Sequence, residues 1–248
     1  KSYRSNFEAQ WAIIARYVLP RANDFNTKTS PGAKKGEQFI FDSTAQLALP
    51  SFAAAVESMT IPRTQKWHGL MPVDPSLRRN ETIRAWCEAK RDLLFAIRYA
   101  PMSGFTGNAS EVNISQGAFG TSGFFVEDAL AKGIRYRSFP LSQLYLAEDQ
   151  YNLVDTVFRC YPLTARQAMK RWRTGLPEAI AKAADKEPDR EFEFLHVVIP
   201  NEERKGGDPT YRGMAMAAYD ICLEGRKLLH EGGYRTMPYM CPRYTKSP

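Results

Sequence analysis

The sequence predicts an α+β protein, and three observations predict it. Apolar residues recur at helical spacing up to Ala118, the period shortens to that of strands from Phe119, and after Thr164 a helical stretch intervenes before strands resume. With 44% hydrophobic and 25% charged residues, the composition is ordinary for a globular protein. A chain of 248 residues can bury the core of one large domain or two smaller ones.

The elements follow in order. Phe7, Trp11, Ile14 and Val18 share one helical stripe, which Pro20 closes. Residues 23–37, rich in Lys, Thr, Gly and Pro, predict an exposed loop. Asp42 or Ser43 can cap a second helix carrying Ala48, Phe52, Val56 and Met59 on one face. Pro50 within that pattern predicts a kink or a break, and Ile61-Pro62 its end. A third helix is expected from about Glu81, with Ile83, Trp86, Lys90, Leu94 and Ile97 in a row whose lysine marks it as partly exposed. A shorter helix is expected over 110–118. Strands are expected over 119–127, 134–139, 144–148 and 153–161. Thr164 caps a helix reaching about Asp185, disturbed at Gly175 and Pro177. Strands over 192–199, 213–223 and 227–230 complete the pattern, with loops at 201–209 and 231–233 between them. Lys1 opens without a cap or start methionine and residues 244–248 are turn-like, so a longer parent chain is expected.

The chemistry-bearing residues are sparse. The balance of 34 Lys+Arg against 27 Asp+Glu gives +7, which points to an anionic partner such as nucleic acid. The excess is spread along the chain, and a basic protein with no such partner would look the same. Cys87, Cys160, Cys222 and Cys241 have no C-x-x-C spacing and read as reduced thiols. Asn80, Asn108 and Asn113 open glycosylation sequons, but no signal peptide accompanies them. No apolar run reaches the roughly 18 residues that a membrane helix needs. Gly117, Gly120 and Gly123 lack phosphate-loop spacing and lead from a helix into a strand, so a turn with tight packing is expected. The pairs Glu127-Asp128 and Glu148-Asp149 point to opposite faces of a strand and read as solvated strand ends. His68, His196 and His230 are far apart in sequence, and none lies in a metal or nucleophile motif. No catalytic residue, metal ligand or cofactor site is therefore assigned. Arg166, Lys170 and Arg173 recur at helical spacing, with Arg171 and Trp172 beside them. Such a face suits a polyanion, or is simply a solvated basic surface.

Most of the chain also carries an ordered series of segments. It runs through Trp11, Tyr17 and Pro20; Phe41-Asp-Ser-Thr-Ala45 with its Ala-rich helix and Ile61-Pro62; Phe119-Gly-Thr121 to Phe125-Val-Glu127; and Phe139-Pro-Leu141. Tyr145, Glu148-Asp149, Val154 to Arg159, Leu163 to Ala168, Leu176-Pro177, His196 to Pro200, Gly233-Tyr234 and Pro238-Tyr239 follow. In order and spacing this series resembles the portal, or head-to-tail connector, proteins of short-tailed, podovirus-type bacteriophages. Departures are Pro50 within a helix and Tyr244 where the family tends to carry Trp.

The resemblance implies a portal-like fold and a non-enzymatic structural subunit, with no cofactor. That subunit forms a dodecameric ring at the capsid vertex of the virion, assembled in the bacterial cytoplasm. Double-stranded DNA passes through the ring during packaging and ejection. The implied partners are the capsid protein, the packaging enzyme (terminase) and the tail adaptor. By the same likeness, residues 1–161 are wing-like, 162–187 a stem helix and 188–248 a strand-rich clip. Arg166, Lys170 and Arg173 would then line the DNA path. Two other readings stand beside this one: a basic DNA-processing enzyme such as a nuclease, and a monomeric nucleic-acid-binding module.

Overall fold

A computed structural model describes residues 4–20, 40–128, 133–204, 211 and 213–244. The expected loop at 23–37 lies outside them. Contacts divide the chain into two compact units, residues 1–140 with 241–248, and residues 141–240. Helices dominate the first, and one antiparallel sheet dominates the second.

In the first unit, helix α1 spans Ser5–Val18 and buries Ala15, while Phe7 stacks on Trp11 at the edge of the expected stripe. Helix α2, Thr44–Thr60, runs through Pro50 without a break. It begins where Asp42 accepts from the amide and the hydroxyl of Thr44, at 2.9 and 2.6 Å. Leu49 and Ala53 are its buried residues, so the inward face is rotated from the one expected at Ala48, Phe52 and Met59. Helix α3, Glu81–Arg98, starts as expected. Asn80 caps it by accepting from the amides of Thr82 and Ile83, which gives this residue a structural use. Among the residues of α3 only Cys87 is fully buried.

Helix α4, Phe105–Phe119, starts earlier than expected. Gly104 supplies a left-handed turn at φ 65° before it, and the Ser103 hydroxyl accepts from the Phe105 amide. Gly117 lies against Leu49 and Phe52 of α2, where an added Cβ would come within 2.9 Å of both side chains. Gly120, at φ 76°, ends α4. Thus two of the three glycines serve packing and a turn. Strands β1, Gly123–Asp128, and β2, Ile134–Phe139, pair antiparallel from Gly123↔Phe139 to Asp128↔Ile134. Phe105, Ala109 and Val112 of α4 pack with Phe124 and Tyr136 of this hairpin, joined by Trp67 and Tyr99.

The second unit is a five-stranded antiparallel sheet in chain order. Its strands are β3 Leu144–Glu148, β4 Val154–Thr164, β5 Glu191–Pro200, β6 Met216–Cys222 and β7 Lys227–Tyr234. Strand β7 takes in residues 231–233, which the sequence suggested as a loop. Gly233 permits this, because a Cβ there would meet Met214 at 2.8 Å and the Met216 carbonyl at 3.0 Å. The expected helix over 164–185 is two helices, α5 Ala165–Arg171 and α6 Glu178–Lys186. Thr164 and Gln167 form a reciprocal capping box at the start of α5. The chain leaves helical geometry at Trp172, and Gly175 adopts φ 87° before Pro177.

Both helices pack on the sheet. Ala165, Ala168, Trp172, Ile180 and Ala183 join Tyr161, Phe192, Phe194 and Cys222 in one core, with Trp172 stacked on Phe194 at 4.9 Å. The boundaries anticipated at 161/162 and 187/188 fall inside this unit, where β4 and β5 pair from Val157↔Val198 to Thr164↔Glu191. Residues 162–187 thus hold two helices rather than one, with Trp172 and Ile180 buried on the sheet.

Candidate functional site

The anticipated basic face is only partly assembled. Arg166 and Lys170 are exposed on α5, opposite the buried Ala165 and Ala168. Arg173 is exposed too, but lies past the helix end, so no single helical row carries all three. Trp172 turns inward, whereas Arg171 stays exposed and only its guanidinium reaches the sheet. Trp172 enters the core, and Arg171 donates to the Asp220 carboxylate at 3.3 Å.

That contact opens onto a polar row that crosses the sheet. Strand register sets Arg159 of β4 opposite His196 of β5, His196 opposite Asp220 of β6, and Asp220 opposite His230 of β7. Side chains alternate along strands, so these four share the face that also carries Phe194 and Cys222. Arg159, His196 and Asp220 are buried, the last only 5% exposed. His196 Nδ1 lies 2.9 Å from Asp220 Oδ1. Arg159 donates from Nε to Gln143 Oε1 at 3.0 Å and sets its guanidinium 4.1 Å over the Tyr161 ring.

Burial works to raise the Asp220 carboxyl. The hydrogen bond from His196 and the charges of His196, Arg171 and His230 outweigh it, leaving the group below its ordinary range. Burial pushes the Tyr239 hydroxyl, whose ring lies 6.0 Å from His196, far above its usual range. Beside the row is a cavity of about 310 Å³ lined by Arg171, His196, Asp220, His230, Tyr211 and Tyr234. Its floor is open because Ala218 and Gly232, paired in register, carry little or no side chain.

The sequence separates His196 from His230, and the fold brings both to Asp220. A signal was available: alternation places His196 on the inward side of β5 with Phe192 and Phe194, and Asp220 on that of β6 with Met216 and Cys222. A polar residue at an inward strand position demands a partner. The arrangement holds a charge rather than activating a nucleophile. The thiol on the same face, Cys222, is buried among apolar side chains, and burial raises its pKa.

His68 sits in the other unit, stacked on Phe95 at 4.4 Å and accepting from Arg98 at 2.5 Å. One carboxylate of each adjacent pair is in structural use as well. Asp149 Oδ1 closes the β3–β4 turn by accepting from the amides of Tyr151 and Leu153, both at 2.8 Å. Glu127 takes Arg135 at 3.4 Å and Arg137 at 3.9 Å. Among the described residues no group of three or more His, Cys, Asp or Glu side chains is placed to hold a metal ion.

Comparison with known proteins supplies what the polar row does not. The family model described as bacteriophage head to tail connecting protein matches residues 1–248. The portal protein of Salmonella phage epsilon15 is 23% identical over 98% of this chain and 44% of its own length. The probable portal protein of Bordetella phage BPP-1 is similar to the same degree, 23% over 98% of this chain and 44% of its own. The chain thus spans less than half the length of these curated relatives. On the match across its whole length, the chain belongs to the family of bacteriophage head-to-tail connecting proteins.

Proposed function

We propose that the full-length protein is the subunit of a portal ring at the capsid vertex, through which double-stranded DNA is packaged and later ejected. The observation that carries this reading is the family match over residues 1–248. The ring is a dodecamer in this proposal, seated in the capsid protein and assembled in the host cytoplasm. It serves first as the dock for the terminase and then for the tail adaptor. The subunit itself turns over no substrate. Asp220, His196 and Arg171 are committed to one another, and Glu127 and Asp149 to local structure, which supports a mechanical rather than a nuclease role.

The regional roles are redrawn along the compact units. Strands β4 and β5 share one ladder and both helices cover it, so residues 141–240 act as one body in place of a separate stem and clip. Arg166 and Lys170 remain our candidates to face DNA, with Arg173 adjoining them. Electron microscopy of the full-length protein tests the reading. Closed rings with a central channel are expected, whereas particles that stay monomeric at high concentration would overturn it.

A further inference from the structure

Two helix faces in the first unit are exposed and carry no charge. On α2, Leu47, Ala48, Ser51, Ala55, Ser58 and Met59 lie together on the side away from Leu49 and Ala53, and all are exposed. Leu47 and Met59 expose 69% and 76% of their surface. On α3, Thr82, Ala85, Trp86, Ala89, Leu93 and Ala96 follow i, i+3, i+4, i+7 spacing and are likewise exposed. Trp86 and Leu93 expose 59% and 51%. The seven charged residues of α3 lie outside this stripe, with Lys90 on one flank, its ammonium 5.6 Å from the Trp86 ring centre, and Asp92 on the other. Solvated helix faces ordinarily carry charge, and contiguous apolar patches on a monomer are small unless something covers them.

We infer that these faces meet between neighbouring copies of this chain, α3 of one subunit against α2 of the next. The inference rests on the ring reading above. A ring built from one repeated head-to-tail contact needs two different faces on each subunit, whereas a two-fold dimer needs only one. The faces carry residues of matching large and small size. Trp86 and Leu93 project from α3 as large knobs, and Ala48, Ser51 and Ala55 leave shallow holes on α2 between the flanking Leu47 and Met59. Lys90 finds acceptors there in the hydroxyl oxygens of Ser51 and Ser58, which donate their own protons within α2. A helix face about 25 Å long and 10 Å wide supplies about a third of the roughly 800 Å² per partner in a stable contact. The pair is therefore one part of a larger interface.

Because other contacts would hold the ring, the test is a cross-link rather than a disruption. In full-length protein, Ala55→Cys combined with Leu93→Cys should give, on mild oxidation of assembled rings, a ladder of covalent multimers on a non-reducing gel. Its yield should exceed that of either single variant at least tenfold. Rings without a ladder overturn this inference and leave the ring reading standing. No rings in the unaltered protein overturn both. Cross-linking by L93C or A55C alone means like faces meet, and a link within one chain means the subunit covers its own face; either result overturns the inference. Hydroxyl-radical labelling of the unaltered protein checks it without substitution. Labelling of Met59 and Trp86 should fall several-fold from free subunit to ring, and equal labelling in both, or shielding already in the free subunit, counts against it.

Discussion

Replacing Asp220 by Ala removes the acceptor that His196 and Arg171 share, and leaves the buried His196 ring facing a site without it. Breaking a buried ionic contact from one side costs about 3 kcal/mol. Arg171→Gln should cost only about 1 kcal/mol, because 39% of that side chain is in water and can be resolvated. Urea unfolding of the three proteins checks the ranking, which reverses if Arg171 is the real anchor. The sign of the pH effect follows from the depressed Asp220 pKa. Its contribution is complete above the unfolded carboxyl pKa of about 3.9 and is lost as pH falls through the lower folded value. The wild type should thus lose stability relative to Asp220→Asn only below about pH 4. His68 acts in a higher window. Burial first, then the charges of Arg98 and Arg91, depress its pKa, so its contribution is present above the ordinary histidine value of about 6.5 and fades as pH falls through the folded one. The melting temperature of wild type should drop between pH 7 and 5 more than that of His68→Gln, whose amide still accepts from Arg98 but does not titrate there. Neither site was legible in sequence. Inward strand positions marked His196 and Asp220 as needing partners, but only the register of β5, β6 and β7 says that they share one, and register is set by pairing across distant segments.

The break between α5 and α6 decides how the second unit holds together. Trp172 sits at that break, stacked on Phe194 and packed with Ile180. Trp172→Ala should cost about 3–5 kcal/mol, and hydrogen exchange should show both helices loosening from the sheet while the β1–β2 hairpin of the other unit stays protected. If α5 and α6 behaved as one independent stem, the substitution would leave the sheet's amides untouched. Several elements were visible in sequence because their signals are local. Thr164 announces the start of α5, and the shortened period announces β2 and β3, whereas the Asn80 cap of α3 emerged only in the structure. The misreadings came from tertiary context. Pro50 does not break α2, and the buried residues of that helix are Leu49 and Ala53, with Phe52 beside Leu49 against Gly117 of α4. Gly232 and Gly233 look like a turn but are the positions where β7 allows close approach.

At the scale of the whole molecule the net charge of +7 matters more than any one helix. The ring proposed above would multiply the subunit's surface cations, and a DNA conduit would need attraction that does not grip. Duplex DNA carries about one charge per 1.7 Å of axis, and phosphate contacts carry no sequence preference. Arg166, Lys170 and Arg173 are exposed, and none of them forms an ion pair among the described residues, so they are available for that duty. Changing all three to Gln should leave folding within about 0.5 kcal/mol of wild type, because surface substitutions of this kind rarely do more. Rings should still form, while DNA retained in filled particles, or the salt sensitivity of packaging, should change. Failure of the ring itself would instead place these cations in subunit contacts. Intact rings with unchanged packaging across a salt series would show that the face is only solvated, and the DNA assignment would fall while the ring reading stood.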